Sequence, residues 1–310
     1  EMEEEGLTRY FVLSNNHIIA RENKASAGEG IVQPGLADTA CLIREENVIA
    51  ELSGFIRLKE EGKNIVDVAI AETIPEAVDA SGRIISIGIP GTEPLKANVG
   101  LGVKKSGAGT GLTRGTVMVT NATVTAIFAD NPLEDFEAIT FKNQLIILSN
   151  NPDKRFNSGG DAGSLVVEDV ASCPRPVGIL MFSDQTGLIG VANRMDKVLK
   201  AAKKMKPKGK KTVVGCAPAM ETARLVHPAE ETEMLAASRA QRRVERQMLT
   251  IPGVNGIGVS QDSERRPVIM VLATSDDPVL RDAIPARIDG FATDILVAGP
   301  FVHGSKLRDQ

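Results

Sequence analysis

Ser158-Gly-Gly-Asp161-Ala162-Gly163-Ser164-Leu-Val-Val167 is a glycine-rich turn that runs into an apolar strand. Small residues on both sides of Asp161 let backbone N–H groups converge on one point, the geometry of an oxyanion hole. Two upstream stretches supply what such a hole needs beside it. In Phe11-Val-Leu-Ser-Asn-Asn-His17-Ile-Ile-Ala20 a hydrophobic strand enters a short turn that presents an imidazole. In Asn64-Ile-Val-Asp67-Val-Ala-Ile-Ala71 a carboxylate interrupts an apolar run, and burying it calls for a cation or a hydrogen-bond donor. Each stretch has a plainer reading by itself: a structural histidine, an edge or bulge aspartate, a tight turn.

The rest of the composition narrows the field. The 310 residues hold 36 Lys+Arg against 40 Asp+Glu, a net charge of −4, so nothing draws the chain as a whole to nucleic acid or anionic lipid. Aromatic residues are 3%, with no Trp and one Tyr, which argues against a base-stacking surface. No apolar run approaches the ~20 residues of a membrane-crossing helix. The three cysteines, Cys41, Cys173 and Cys216, are odd in number and far apart, and they read as reduced, buried thiols of a cytoplasmic protein. No Cys/His cluster has metal-ligand spacing, and neither a metal nor an organic cofactor is expected.

From Tyr10 to about Val191, short β-like runs alternate with Gly, Pro, Asn and Asp punctuation, which predicts an all-β barrel or sandwich. Arg194–Lys204 then reads as a helix with Met195, Val198, Leu199 and Ala202 on one face, closing a first domain over residues 1–205. Residues 206–249 read as a lysine-rich linker and a charged helix over Ala229–Leu249. Residues 250–310 read as a small ββαβ unit. The stretch Gly107–Gly115 lacks the G-K-[ST] ending of a phosphate loop and leads into a strand, so it is read as a β turn. His227 and His303 are expected at the surface.

The succession His17, Asp67, Gly160-Asp161-Ala162-Gly163 resembles the trypsin/chymotrypsin-like serine peptidases over about residues 8–205. Leu13–Ala20, Gly28–Gly35 and Gly107–Gly115 are similar to a bacterial trypsin-like group related to the plant NARROW LEAF 1 proteins. The resemblance implies a double six-stranded β-barrel, followed here by a helical linker and a small α+β accessory unit. It implies His17 as general base and then general acid, Asp67 as its orienting partner, and the N–H groups of Gly160 and Ala162 as the oxyanion hole. Phe156, Asn157 and Ser158 fall where the family places its side-chain pocket. Met181, Phe182, Ser183 and Gly190 fall on the strands beside a bound substrate, with Asp184 as a charge at the pocket rim.

Three departures qualify that picture. Ala162 stands at the nucleophile position, and alanine has neither a proton to give His17 nor an oxygen to acylate. It reads as an inactivating Ser→Ala substitution in a serine endopeptidase, with a natural pseudo-peptidase that binds polypeptide as the alternative. Asp161 corresponds to the loop aspartate that pairs with a new N-terminal amine in mature trypsin-like enzymes, and no such amine is identifiable, so activation is expected to differ. Only 16 residues precede His17, too few for a full first barrel, so strands are expected to be missing at the amino terminus. The expected partners are a polypeptide substrate and a regulatory protein or second copy held through the carboxy-terminal unit.

Overall fold

A computed structural model describes residues 2–4, 7–42, 44–128, 137–217 and 228–302. β-Branched and small apolar residues between turn-forming Gly, Pro and Asn favour short strands, and strands dominate. The amino-terminal part contains β1 (Met2–Glu4), β2 (Leu7–Arg9), β3 (Phe11–Ser14), the one-turn helix α1 (Asn16–Ile19), β4 (Gly30–Val32), β5 (Val48–Phe55) and β6 (Ala69–Thr73). β1 pairs with β2, and the others form an open antiparallel sheet of order β3-β6-β5-β4.

The remainder begins with β7 (Gly102–Gly107), β8 (Gly111–Phe128), β9 (Glu137–Ser149), β10 (Leu165–Glu168), β11 (Pro176–Ser183) and β12 (Ile189–Arg194). The helices α2 (Met195–Ala202) and α3 (Pro228–Met248) follow. Then come β13 (Val254–Gln261), β14 (Pro267–Ala273), α4 (Pro278–Ala283), β15 (Arg287–Ile288), β16 (Phe291–Val297) and β17 (Phe301–Val302). These strands make one eleven-stranded sheet of order β15-β16-β14-β13-β8-β7-β10-β11-β12-β9, in which β9 also pairs with β8, and β17 with both β8 and β11.

The expected pair of six-stranded barrels is therefore corrected. The first sheet is open and has four strands, and the second has eleven strands rather than six. The cause is β8, which is 18 residues long and irregular. Its first part pairs with β7, and its later part receives β13 at Val124↔Gly256 and Thr123↔Ile257. Glycine makes that approach possible: a Cβ at Gly258 would lie 2.3 Å from Val119 Cγ1. The strands β14 and β16 then continue the same sheet in parallel, joined through α4, whose first turn is capped by the Asp277 carboxylate accepting from Leu280 N–H.

The two sheets meet through a core that includes Ile70 of β6, Ile179 of β11, and Met195 and Val198 of α2. Each such buried side chain stabilises by roughly 1.5–3 kcal/mol, so the helix predicted after Arg194 clamps one sheet to the other. The reading of three reduced, buried thiols is also corrected. Cys173 and Cys216 form a disulfide, and Cys41 is free and exposed. The segment after α2 returns beside the β10–β11 turn, where Gly91 N–H bonds Pro174 O and Thr92 N–H bonds Cys216 O, bringing the two cysteine Cα atoms to 5.9 Å. No described helix is long and apolar enough to cross a membrane. His227 and His303 lie outside the described residues.

Candidate active site

The apolar strand β3 delivers the chain to Asn15, whose carbonyl accepts the first bonds of α1. His17 thus sits in the single turn of helix that ends the strand. Its backbone N–H donates to Asp67 Oδ1 at 3.2 Å, and its ring Nδ1 is hydrogen-bonded to Asp67 Oδ2. Both side chains are buried, Asp67 completely. Asp67 is itself gripped from two directions: its carbonyl accepts from Asn15 Nδ2 at 2.9 Å and from Asn193 Nδ2 at 3.0 Å, while its N–H donates to Asn193 Oδ1 at 3.1 Å. Asn193 belongs to β12, so the second sheet positions the carboxylate of the first. The imidazole lies face-on to Phe182 at 5.4 Å and edge-on to Phe128 at 5.9 Å, which fixes its tilt.

The turn quoted at the outset is organised around Asp161, which is completely buried. Its Oδ1 accepts from the N–H groups of Gly109 at 2.9 Å and Thr110 at 3.1 Å. Its Oδ2 accepts from Ser158 N–H at 2.9 Å and Thr110 Oγ1 at 2.8 Å, and forms an ion pair with Lys105 Nζ at 3.0 Å. Burial holds the Lys105 ammonium below its usual range, and the Asp161 charge offsets only part of that. Where the resemblance would pair this aspartate with a new N-terminal amine, its cationic partner here is the internal Lys105. The glycine-rich stretch is a turn, as expected, joining β7 to β8, and it also cradles that carboxylate. A Cβ at Gly107 would lie 2.4 Å from Asp161 Oδ1, and one at Gly109 would lie 2.3 Å from Gly159 O, so the close approach needs both glycines.

On either side of Asp161 the loop turns through Gly160 and Gly163, with φ of +93° and +87°. Gly163 N–H bonds Leu180 O, and Ser164 N–H bonds Asp161 O, both at 3.0 Å. Among the described residues, no hydrogen bond takes the N–H of Gly160 or of Ala162. A Cβ on Gly163 would stand 2.4 Å from Ser14 Oγ, so the loop rests against the end of β3, three residues ahead of His17. His17, Asp67 and the Ala162 loop are thus brought to one place, and what Ala162 offers there is a methyl group.

The expected substrate residues fall elsewhere in part. Phe156 is completely buried among Val117, Leu145, Ile147 and Leu180, with its ring against Gly190, and it fills the core. Asn157 is buried with its Nδ2 donating to Phe182 O at 3.1 Å, and Ser158 serves Asp161. Met181 and Phe182 are core residues, and Phe182 also faces His17. Ser183 pairs with Gly190 on one edge and with Val302 on the other. Asp184 is not a charge at a rim: it accepts from Ile189 N–H at 3.0 Å and Thr186 Oγ1 at 2.6 Å, and so ties the β11–β12 turn. The residues that went unnoticed are Lys105, Thr110, Asn15 and Asn193. Asn15 alone had a local signal, as a capping residue two positions before the histidine. Among the described residues, no His, Cys, Asp and Glu cluster could hold a metal ion.

A family model, the Nal1 C-terminal domain, matches residues 39–205. Among solved structures, a glutamic acid specific serine protease that utilizes a histidine triad in substrate binding is 19% identical, with 66% of this chain and 89% of that one covered and a TM-score of 0.42. Cellulomonas bogoriensis chymotrypsin is 16% identical over 61% and 81% of the two chains, with a TM-score of 0.37. Thermobifida fusca protease A is 16% identical over 62% and 82%, with a TM-score of 0.39. Likenesses this distant bear on neither activity nor specificity. No curated protein matches the sequence.

Proposed function

The chain belongs to the Nal1 C-terminal domain family, and from that premise we propose that it is a serine-type endopeptidase scaffold whose nucleophile position is occupied by Ala162. The observation that carries this reading is the buried Asp67 holding His17 by both its backbone N–H and its ring Nδ1, beside a loop with two unengaged N–H groups. A hydroxyl at position 162 would give its proton to the far ring nitrogen of His17 and attack a peptide carbonyl. Asp67 would stabilise the imidazolium, and the N–H groups of Gly160 and residue 162 would take the developing oxyanion, each such donor being worth about 10²–10³ in rate. The imidazolium would then protonate the leaving amine, and water would release the acyl group by the reverse path. With the alanine methyl in place, no acyl-enzyme forms.

Ala162 itself favours a second reading, in which the chain is a natural pseudo-peptidase that holds a polypeptide without cutting it. The Cys173–Cys216 disulfide supports an oxidising compartment over the cytoplasmic placement that reduced thiols implied. The test is to incubate the Ala162→Ser chain with a mixture of peptides and map new amino termini by mass spectrometry. Cleavage that disappears on adding His17→Gln is the expected result. A folded Ala162→Ser chain that binds peptides but cuts none would leave the pseudo-peptidase reading.

A further inference from the structure

The ends of β8 and β11 are not paired with each other; one strand lies between them. Val302 of β17 pairs antiparallel with Ser183 of β11 and parallel with Ile127 of β8, and Phe301 pairs with Ala126. With strands ~4.8 Å apart, the gap is a slot one strand wide. Along that edge of β11 come, in order, β10 at Ile179, the Ala162 loop at Leu180, and then β17 at Ser183. The ring of Phe182, the residue before Ser183, is the one stacked on His17. A peptide presented to His17 and the oxyanion loop would lie along this same edge.

The occupant is held as a ligand strand is held. Its backbone is paired on both sides, and Phe301 is completely buried in a cluster that contains Phe128, Phe141, Met181 and Phe182. The lead-in is tethered at Ala298, whose N–H bonds Ala273 O at 2.7 Å and whose carbonyl accepts from Asn255 Nδ2 at 3.0 Å. Gly299 and Pro300 then carry the chain into the slot. Backbone pairing supplies affinity in such strand addition, and the side-chain pocket supplies selectivity.

We infer that the slot between the ends of β8 and β11 is a polypeptide-binding site and that Phe301–Val302 is its resident occupant, so that the chain fills its own cleft. The ligand class is an extended peptide with a bulky apolar side chain where Phe301 sits and a backbone N–H and C=O free to pair at the next residue. The view of that ligand as substrate rests on the peptidase reading above; the binding itself does not. A tethered occupant competes at an effective concentration that reaches millimolar, so the affinity of an incoming peptide falls by the fraction of chains whose slot is open.

The test uses the 310-residue Ala162 chain and a fluorescent peptide with the sequence of residues 297–304, Val-Ala-Gly-Pro-Phe-Val-His-Gly, followed by polarisation. Val302→Pro in the chain removes a strand N–H without opening a hole in the core. The peptide is expected to bind this variant at least tenfold more tightly than the unsubstituted chain, and a peptide with Ala in place of the Phe is expected to bind at least tenfold more weakly. Equal affinity for the two chains, or binding to neither, overturns the inference. Should the variant not fold, hydrogen exchange on the unsubstituted chain decides: saturating peptide is expected to speed exchange at Phe301 and Val302 several-fold, and unchanged exchange overturns it. None of these readouts needs catalysis, so an Ala162→Ser chain that never cleaves would sink the peptidase reading and leave this one standing.

Discussion

Among the described residues two carboxylates are completely buried, and they are partnered in opposite ways. Asp67, ahead of β6, faces an imidazole and the N–H of the same histidine. Asp161, in the loop ahead of β10, faces the Lys105 ammonium, a threonine hydroxyl and the three N–H groups of Gly109, Thr110 and Ser158. An imidazole can take a proton on one ring nitrogen while the other stays bonded to its partner, whereas an ammonium held against a carboxylate only donates. The first pair is therefore suited to moving a proton and the second to holding a loop still. The chemistry is assigned to one carboxylate and the rigidity to the other.

That division is broken most sharply at Asp67. In an Ala162→Ser chain, Asp67→Asn is expected to lower the rate of peptide cleavage about 10⁴-fold by favouring the wrong tautomer of His17, with a smaller shift in the urea midpoint than Lys105→Met causes. Equal loss of rate from both substitutions at full folding would erase the distinction. Next comes Lys105→Met, which leaves Asp161 buried without its cation and is expected to cost about 3–5 kcal/mol in urea unfolding. Adding Asp161→Asn to it should return part of that loss, because the unpaired charge goes with it. A Lys105→Met chain as stable as its parent would show that the loop does not depend on the ion pair.

The disulfide lies on the same side of the comparison as Asp161, closing a sequence separation of 43 residues next to the β10–β11 turn. Replacing both Cys173 and Cys216 by Ser should lower stability by about 2–4 kcal/mol, measured by denaturant unfolding without reductant, and should leave the His17–Asp67 contact unchanged. The smallest effect is expected at Glu168, at the end of β10. Burial pushes its carboxyl up, but Arg175, which donates from its guanidinium and its backbone N–H at 2.8–2.9 Å, holds it below the usual carboxylate range. A carboxylate depressed in the folded state contributes stability above its unfolded value, ~4.3, and loses it as the pH falls through the folded value. Glu168→Gln should accordingly lower stability slightly at neutral pH and flatten the acid limb below about pH 4.3, so that the two chains converge in acid.

How much of this was legible in the sequence follows from how local each signal is. The histidine after an apolar strand, the carboxylate in an apolar run and the glycine-rich turn are each written within about ten residues, and the structure brings them together. Lys105 is a different case. It follows Lys104 in a short strand, and nothing in the pair says that one side chain is buried on a loop more than fifty positions away while the other reaches Val170 O. Asn193 is likewise silent until the second sheet docks on the first. The disulfide is invisible because Cys spacing carries no information once the loop between the residues is long. The strand pattern itself was readable, but the number of strands in each sheet was not: pairing of β13 with β8 and of β17 with β11 is set by packing between distant segments. Phe156 shows the reverse failure, where position in a motif suggested a pocket and burial among Val117, Leu145 and Leu180 made it core.

The central claim is that His17 and Asp67 are poised to activate a nucleophile at position 162. Its most direct test is the intact mass of the Ala162→Ser chain after exposure to a fluorophosphonate, beside the same chain carrying His17→Gln. One added phosphonyl group, located at position 162 and absent from the His17→Gln chain, is the predicted result. A folded Ala162→Ser chain that remains unmodified, or one that is modified equally without His17, would contradict the account.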